Sequence, residues 1–190
     1  WTVPVGLAIG LHPRLARILR PMIQIAASFP APMLFPLVIA LLTSLGITLG
    51  WGSIVLMLLG TQWYILFNVV AGAMAIPADL LEAARSYRMG LGLRFRTIYL
   101  PAIFPYLVTG WVTAAGGAWN ASIVSEYATQ DRQVLTAYGL GSQVSLAAQN
   151  GDFPRLAGSV LVMSCVVVLF NSLVWRRLYR IAEQKYSLDK

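Results

Sequence analysis

The chain has 190 residues, of which 58% are hydrophobic and only 11% charged, with a formal net charge of +7. Soluble domains carry about 25% charged residues, and a soluble core of this size cannot hide so much apolar surface. No Asp, Glu, Lys or Arg occurs in residues 21–78, 97–125 or 156–175. A membrane-crossing helix needs about 20 mostly apolar residues, so the sequence reads as an integral membrane protein.

Residues 1–11 are apolar but would rise only about 16 Å as a helix, half of a hydrocarbon core. They read as the end of a span that starts before Trp1, and the chain as a fragment. Arg14, Arg17 and Arg20 follow. The charge-free stretch 21–78 is too long for one helix and suits two, with a turn at 45–52 holding Gly46, Gly50 and Gly52 beside Trp51, a fitting interfacial anchor. Pro30, Pro32 and Pro36 crowd the first of the pair. Two readings stay open: a kinked or unwound helix, or a span that starts near Met33 with the prolines at the interface.

The second helix of the pair runs over about 53–76 and ends at Pro77. A polar loop follows to about Leu100, then a span over 102–124 with Pro105 in its first turn, where proline is tolerated. Residues 125–154 are too polar for a lipid-facing span, and their middle, 133–151, fits an amphipathic or re-entrant helix. The last span covers 156–175 and is closed by Arg176 and Arg177. The sum is an all-α membrane protein, a polytopic helical bundle of one partial and four full spans, without internal repeats. It forms one transmembrane domain over 1–190, with a loop at 77–101 and another at 125–154.

Twelve of the fourteen basic residues fall on alternate loops and the tail (Arg14, Arg17, Arg20, Arg85, Arg88, Arg94, Arg96, Arg176, Arg177, Arg180, Lys185, Lys190), against Arg132 and Arg155 elsewhere. That asymmetry follows the positive-inside rule and places the basic loops in the cytoplasm. The basic residues form no stripe, so no nucleic-acid partner is expected. Cys165, within the last span, is expected to be buried and inert. His12 has no second ligand at metal spacing, and no metal site is expected.

The loop 77–101 carries the chemistry. Asp79 or Glu82 near a helix start suits the helix dipole, and 80–89 reads as a short helix broken by Gly90 and Gly92. A second helix then leads to Pro101. Alanines allow a partner's surface to approach closely, while Glu and Arg orient it; the hairpin reads as a docking element. Here the sequence resembles the permease subunit of type I ATP-binding-cassette importers, of the MetI-like fold. Glu82-Ala83-Ala84, Phe95, Ile98 and Leu100-Pro101 stand at that family's spacing. The family's glycine is expected at 88, where this chain has Arg88, with Gly90 two residues later, so the place of the turn stays open. The stretches ILRPMIQIAASFPAP and GAWNASIVSEY resemble the nitrate/sulfonate/taurine branch, which includes fused, duplicated permeases.

The resemblance implies that Glu82, Ala83, Ala84, Arg85, Arg88, Gly90, Phe95, Ile98, Leu100 and Pro101 form a coupling loop for a cytoplasmic ATPase. It implies further partners: a second permease copy or half, an external substrate-binding protein, and the lipid bilayer of a bacterial inner membrane. No Gly-x-x-x-x-Gly-Lys-Ser/Thr motif is present, so ATP and Mg are expected at the partner ATPase, with no cofactor on this chain. The substrate expected from the branch is a small anion such as nitrate, a sulfonate, taurine or bicarbonate. Other importer classes (amino acid, metal, polyamine) and a non-transport scaffold are the alternatives. An intramembrane enzyme is disfavoured, because the spans offer no nucleophile with a base and almost no acid. Polar groups inside spans are the default pathway candidates: Gln62, Asn68, Trp119, Asn120 and Ser122, with Glu126 at the outer end. The plainer reading has each amide or hydroxyl bonding across helices, and Glu126 as a solvated interface charge. Gly6, Gly10, Ala114, Gly117, Ala118 and Ala121 read as packing residues.

Overall fold

The computed structural model describes residues 1–130 and 133–186. Arg132 and Lys190, counted above in the charge asymmetry, lie outside the described residues. The elements, in order, are α1 (Thr2–Leu11), α2 (Pro13–Ser28), a 3₁₀ turn (Ala31–Leu34), α3 (Phe35–Ser44), α4 (Leu49–Met74), α5 (Ala78–Ser86) and α6 (Leu91–Arg94). A π-helical turn (Phe95–Tyr99), α7 (Leu100–Ser125), β1 (Tyr127–Gln130), β2 (Gln133–Thr136), α8 (Leu140–Gln149), α9 (Phe153–Phe170), a second π-helical turn (Asn171–Trp175) and α10 (Arg176–Tyr186) follow. Among the described residues, three helical runs are long and apolar enough to cross a membrane: Leu49–Met74, Leu91–Ser125 and Phe153–Tyr186. The pair α2 and α3, bent by 72°, makes a fourth if it counts as one broken span rather than a re-entrant loop. The protein is a helical multi-pass membrane bundle.

The chain divides into two compact units. The first comprises Trp1–Ala26, Trp63–Ala114 and Leu173–Lys190. Its core joins Leu7 of α1, Val69 and Ala73 of α4, and Ile103 and Leu107 of α7. A second cluster joins Ile9, Ala16, Leu66 and Val70, with Leu19 and Ile23 of α2 packed against it. Glycine makes the α1–α4 contact possible. A Cβ on Gly6 would lie 2.6 Å from Val69 Cγ1, and one on Gly10 would collide with Ala73 Cβ. Small residues let membrane helices approach until dispersion forces hold them, so this pair packs as the sequence suggests. Gly6→Leu is expected to destabilise the protein by about 1–3 kcal/mol through overpacking, read as a lower unfolding temperature in detergent. An unchanged temperature would show that α1 can swing away without loss. At the other end of the chain, Tyr186 stacks on Phe104 with centroids 4.8 Å apart.

The second unit comprises Ala27–Gln62 and Ala115–Ser172. Helix α2 breaks after Ser28, and Pro30 adopts the extended conformation (φ −65°, ψ 107°) before the 3₁₀ turn. The prolines therefore unwind the helix, because they lack N–H donors and push the preceding residue out of the α region. The turn after α3 closes on Gly46 at φ +73°. Phe35, Ile39 and Leu56 form the core of this unit, and Ala128 and Leu135 pack against it. Ala128 and Leu135 face each other in the antiparallel β1–β2 register. An isolated hairpin is marginal in water, so this packing holds the strands.

Four expectations need correction. The helix expected over 133–151 is shorter, since Gln133–Thr136 is strand β2 and α8 covers only Leu140–Gln149; alternation over 127–136 is too short to stand out from polar loop. Arg176 and Arg177 do not end the last helix, which continues to Tyr186, since arginine marks a membrane boundary while remaining a good helix former. Pro105 is not in a first turn: it sits inside a helical run that begins at Leu91. The π-helical turn Phe95–Tyr99 widens the backbone just before Pro101, where the proline ring would otherwise press on the carbonyl four residues back. Finally, Cys165 is exposed rather than buried. No residue of α9 is buried, because a helix solvated by hydrocarbon has no need to hide apolar side chains from its surroundings.

Candidate functional site

The hairpin 77–101 is built by three local devices. Pro77 adopts an extended conformation as the N-cap of α5, Asp79 lies in its first turn and Arg85 in its last, each on the side of the helix dipole that stabilises its charge. The helix spans Ala78–Ser86 rather than 80–89. Its end is a Schellman cap: the Arg88 N–H donates to Arg85 O (2.9 Å) and the Met89 N–H to Ala84 O (3.0 Å). The residue in the left-handed position is Arg88, at φ 50°. The turn thus falls at 88 and not at Gly90, whose φ is −66°. A left-handed non-glycine residue costs roughly 1–2 kcal/mol.

Ala84 is only 1% exposed, while Glu82, Ala83, Arg85 and Arg88 are exposed. The alanine pair therefore has two fates: Ala84 packs inside the chain, and Ala83 stays exposed. Arg94, which sequence reasoning passed over, ties the hairpin together. Its Nη2 donates to Ala84 O at 3.3 Å, the same carbonyl that caps α5. Phe95 is 38% exposed, and Ile98, Leu100 and Pro101 are half-buried. Gly90 and Gly92 have open space where a Cβ would stand. From α6 onward the backbone is one helical run into α7.

The polar groups in the spans are satisfied locally. Gln62 Nε2 donates to Leu59 O (3.3 Å), Asn68 Nδ2 to Tyr64 O (2.8 Å), Asn120 Nδ2 to Gly116 O (3.3 Å) and Ser122 Oγ to Trp119 O (2.8 Å). For Asn68, Asn120 and Ser122 these bonds return to the donor's own helix instead of crossing to a neighbour. Ser122 is buried. Trp119 and Asn120 line a groove of about 370 Å³ with Met163, Ser164, Val167 and Val168 of α9. Gln62 and Asn68 do not line it, and Asn68 belongs to the first unit.

Glu126 is half-buried and hydrogen-bonded rather than a freely solvated charge. Its Oε2 accepts the Ser142 N–H at 3.1 Å, so it caps the N-terminus of α8 from outside that helix. Gly139, the N-cap residue, is glycine for a steric reason, since a Cβ there would collide with the Glu126 carboxylate. The signal in sequence would have been a glycine where an N-cap Ser or Asp is usual. Glu126→Gln is expected to cost about 1 kcal/mol, read as a lower unfolding temperature and faster amide exchange in 140–143. Exchange at the wild-type rate would show that the carboxylate does not hold the helix. Among the described residues no group of three or more His, Cys, Asp or Glu could hold a metal. His12 Nδ1 pairs with Ala8 O at 2.9 Å.

A helical membrane bundle with an exposed, rigidly capped loop matches a known family over nearly its whole length. The family of binding-protein-dependent transport system inner membrane components aligns with residues 2–187. The chain belongs to it. This permease is 24% identical over 172 residues to the nitrate import permease protein NrtB of Leptolyngbya laminosa, covering 90% of the chain and 58% of that relative. It is 27% identical over 169 residues to the taurine transport system permease protein TauC of Escherichia coli K12 (87% and 55%). It is likewise 27% identical over 124 residues to the bicarbonate transport system permease protein CmpB of Synechocystis (65% and 43%). The permease spans about half the length of these curated relatives. It is a type I importer permease, an inner membrane component of a binding-protein-dependent transport system.

Proposed function

We propose that this permease forms part of the translocation pathway of an ATP-binding-cassette importer for a small anion, driven by a separate ATPase that docks on the hairpin 77–101. The observation that carries the reading is mechanical. The exposed corner with Glu82, Ala83, Arg85 and Arg88 is clamped to Arg94, and the helix that follows continues unbroken into the span ending at Ser125. On this reading a force on the hairpin enters the helical run that begins at Leu91. Phe95, Ile98, Leu100 and Pro101 join the hairpin to that helix. Gly90 opens α6 where no side chain crowds it.

Basic residues of the hairpin, α2 and α10 mark the cytoplasmic side. The hairpin β1–β2 and α8 then face outward, where a binding protein delivers substrate, and a second permease copy or half completes the pathway. ATP and Mg belong to the ATPase. The groove offers the Trp119 indole and the Asn120 amide with no carboxylate, while the Ser164 hydroxyl donates to Val160 O; a neutral polar lining lets an oxyanion pass without trapping it. Relatives named for nitrate, taurine and bicarbonate fit this charge class. Gln62 and Asn68 are weaker candidates, Ser122 is a packing residue, and Glu126 is a helix cap.

The test is ATP-driven uptake into proteoliposomes holding the full-length permease, its ATPase and its binding protein. Labelled nitrate, bicarbonate and taurine are compared with an amino acid, a divalent metal and a polyamine. Uptake of an anion that stops without ATP is expected. Uptake confined to a cation or polyamine would overturn the anion assignment, and ATP-independent flux would overturn the coupling.

A further inference from the structure

Three helices in this chain end in the same cap. In each, the N–H of the left-handed residue and the N–H that follows it bond back to the last turn: Gly46 and Ile47 to Thr43 and Leu42, Gly151 and Asp152 to Ala148 and Ala147, Arg88 and Met89 to Arg85 and Ala84. Two of the three left-handed positions hold glycine, at φ +73° and +66°, as this conformation favours. The third holds arginine at φ 50°, the one such non-glycine residue among those described. Among the described residues no side chain rewards it. Arg88 is exposed, and among the described residues no side-chain hydrogen bond or ion pair involves it. A strained residue persists where function retains it.

We infer that Arg88 is held in this turn to engage an acidic patch on the ATPase subunit, and so helps select the ATPase that this permease accepts. The inference rests on the docking reading above and adds the chemistry of the partner's surface. Residues 77–101 carry four arginines against Asp79 and Glu82, and one of the four, Arg94, is occupied inside the hairpin. The corner therefore presents Arg85 and Arg88 with Tyr87, 82% exposed, and Leu91, 79% exposed. Arginine beside an exposed tyrosine is the composition of a protein-binding hot spot. Anionic lipid would be attracted equally by any flexible lysine near the surface and gives no reason for a strained arginine aimed by a rigid cap.

The experiment places full-length permease in nanodiscs of neutral phosphatidylcholine and titrates the cognate ATPase across a range of salt concentrations. Arg88→Gly is expected to bind at least about tenfold more weakly with a flatter salt dependence. The unfolding temperature of the permease alone should be equal or higher, because glycine relieves the turn. Arg88→Lys should fall between, and Arg88→Glu below both. Binding of Arg88→Gly within about twofold of the parent overturns the inference. So does a lowered unfolding temperature, which would make Arg88 a structural residue, and so does a defect seen only in discs containing anionic phosphatidylglycerol, which would make it a lipid contact. If Arg88→Gly binds normally while Glu82→Lys does not, docking stands and only the role of Arg88 falls. If neither change weakens binding, the docking reading itself fails.

Discussion

Glu82→Lys is expected to lower ATP-driven uptake by at least about tenfold, equivalent to 1.4 kcal/mol or more of lost association, while leaving the unfolding temperature of the permease unchanged. Glu82 is exposed on α5, so reversing its charge disturbs no packing inside the chain. The loss must then arise at the surface the partner reads, where like charges brought together cost several kcal/mol. Two measurements on one preparation separate the possibilities: uptake in proteoliposomes and thermal unfolding in detergent. Wild-type uptake by Glu82→Lys would remove the hairpin from the mechanism. Ala84→Arg, an obvious companion from the sequence, is a poor probe. Ala84 is 1% exposed and its carbonyl receives both Met89 and Arg94, so its replacement would break the hairpin and report on folding.

Gly141→Val is expected to have the largest effect on stability, about 3 kcal/mol or more. A Cβ at this position would overlap the backbone of Ser122 and lie 2.7 Å from the Ile123 N. Backbone atoms inside a helix cannot step aside as a flexible side chain can. Helix α8 would have to leave α7, losing the Ser142–Glu126 cap and the Ser145 Oγ to Ile123 O hydrogen bond together. Trypsin offers a direct reading, because Arg155, exposed but tied through its guanidinium to Gln143 of α8, is cut faster once α8 detaches. An intact protease pattern and an unshifted unfolding temperature would show that α8 docks loosely, against the close approach seen here.

Much of the architecture was legible because membranes make composition speak. Apolar length reports spans directly: Leu49–Met74, Leu91–Ser125 and Phe153–Tyr186 each cover one of the charge-free regions, the 58-residue stretch being divided at its glycines. Spacing located the loop 77–101 as well, since fixed offsets from Glu82 to Pro101 survive whatever the fold does. The pathway candidates were less legible. Each was chosen for polarity within an apolar stretch, but a helix satisfies an amide or hydroxyl on its own carbonyls, as at Asn68 and Asn120. Polarity alone therefore does not distinguish a lining group from a self-bonded one.

What the amino-acid order determined unaided was the solvent of each segment, the family of the chain and the address of its loop. Those properties depend on hydrocarbon thickness and on local spacing, and both can be counted along a chain. Tertiary structure alone decided which of two adjacent alanines is buried, that Arg88 rather than Gly90 makes the turn, and that Glu126 caps a helix sixteen residues further on. Each of these depends on which backbone groups come within hydrogen-bond distance or collide across elements, and that distance is not a function of separation in sequence. The low charge content follows the same division. Its scarcity announces a membrane, but the work of each remaining charge, whether capping, clamping or presented to a partner, is assigned only when the chain has folded.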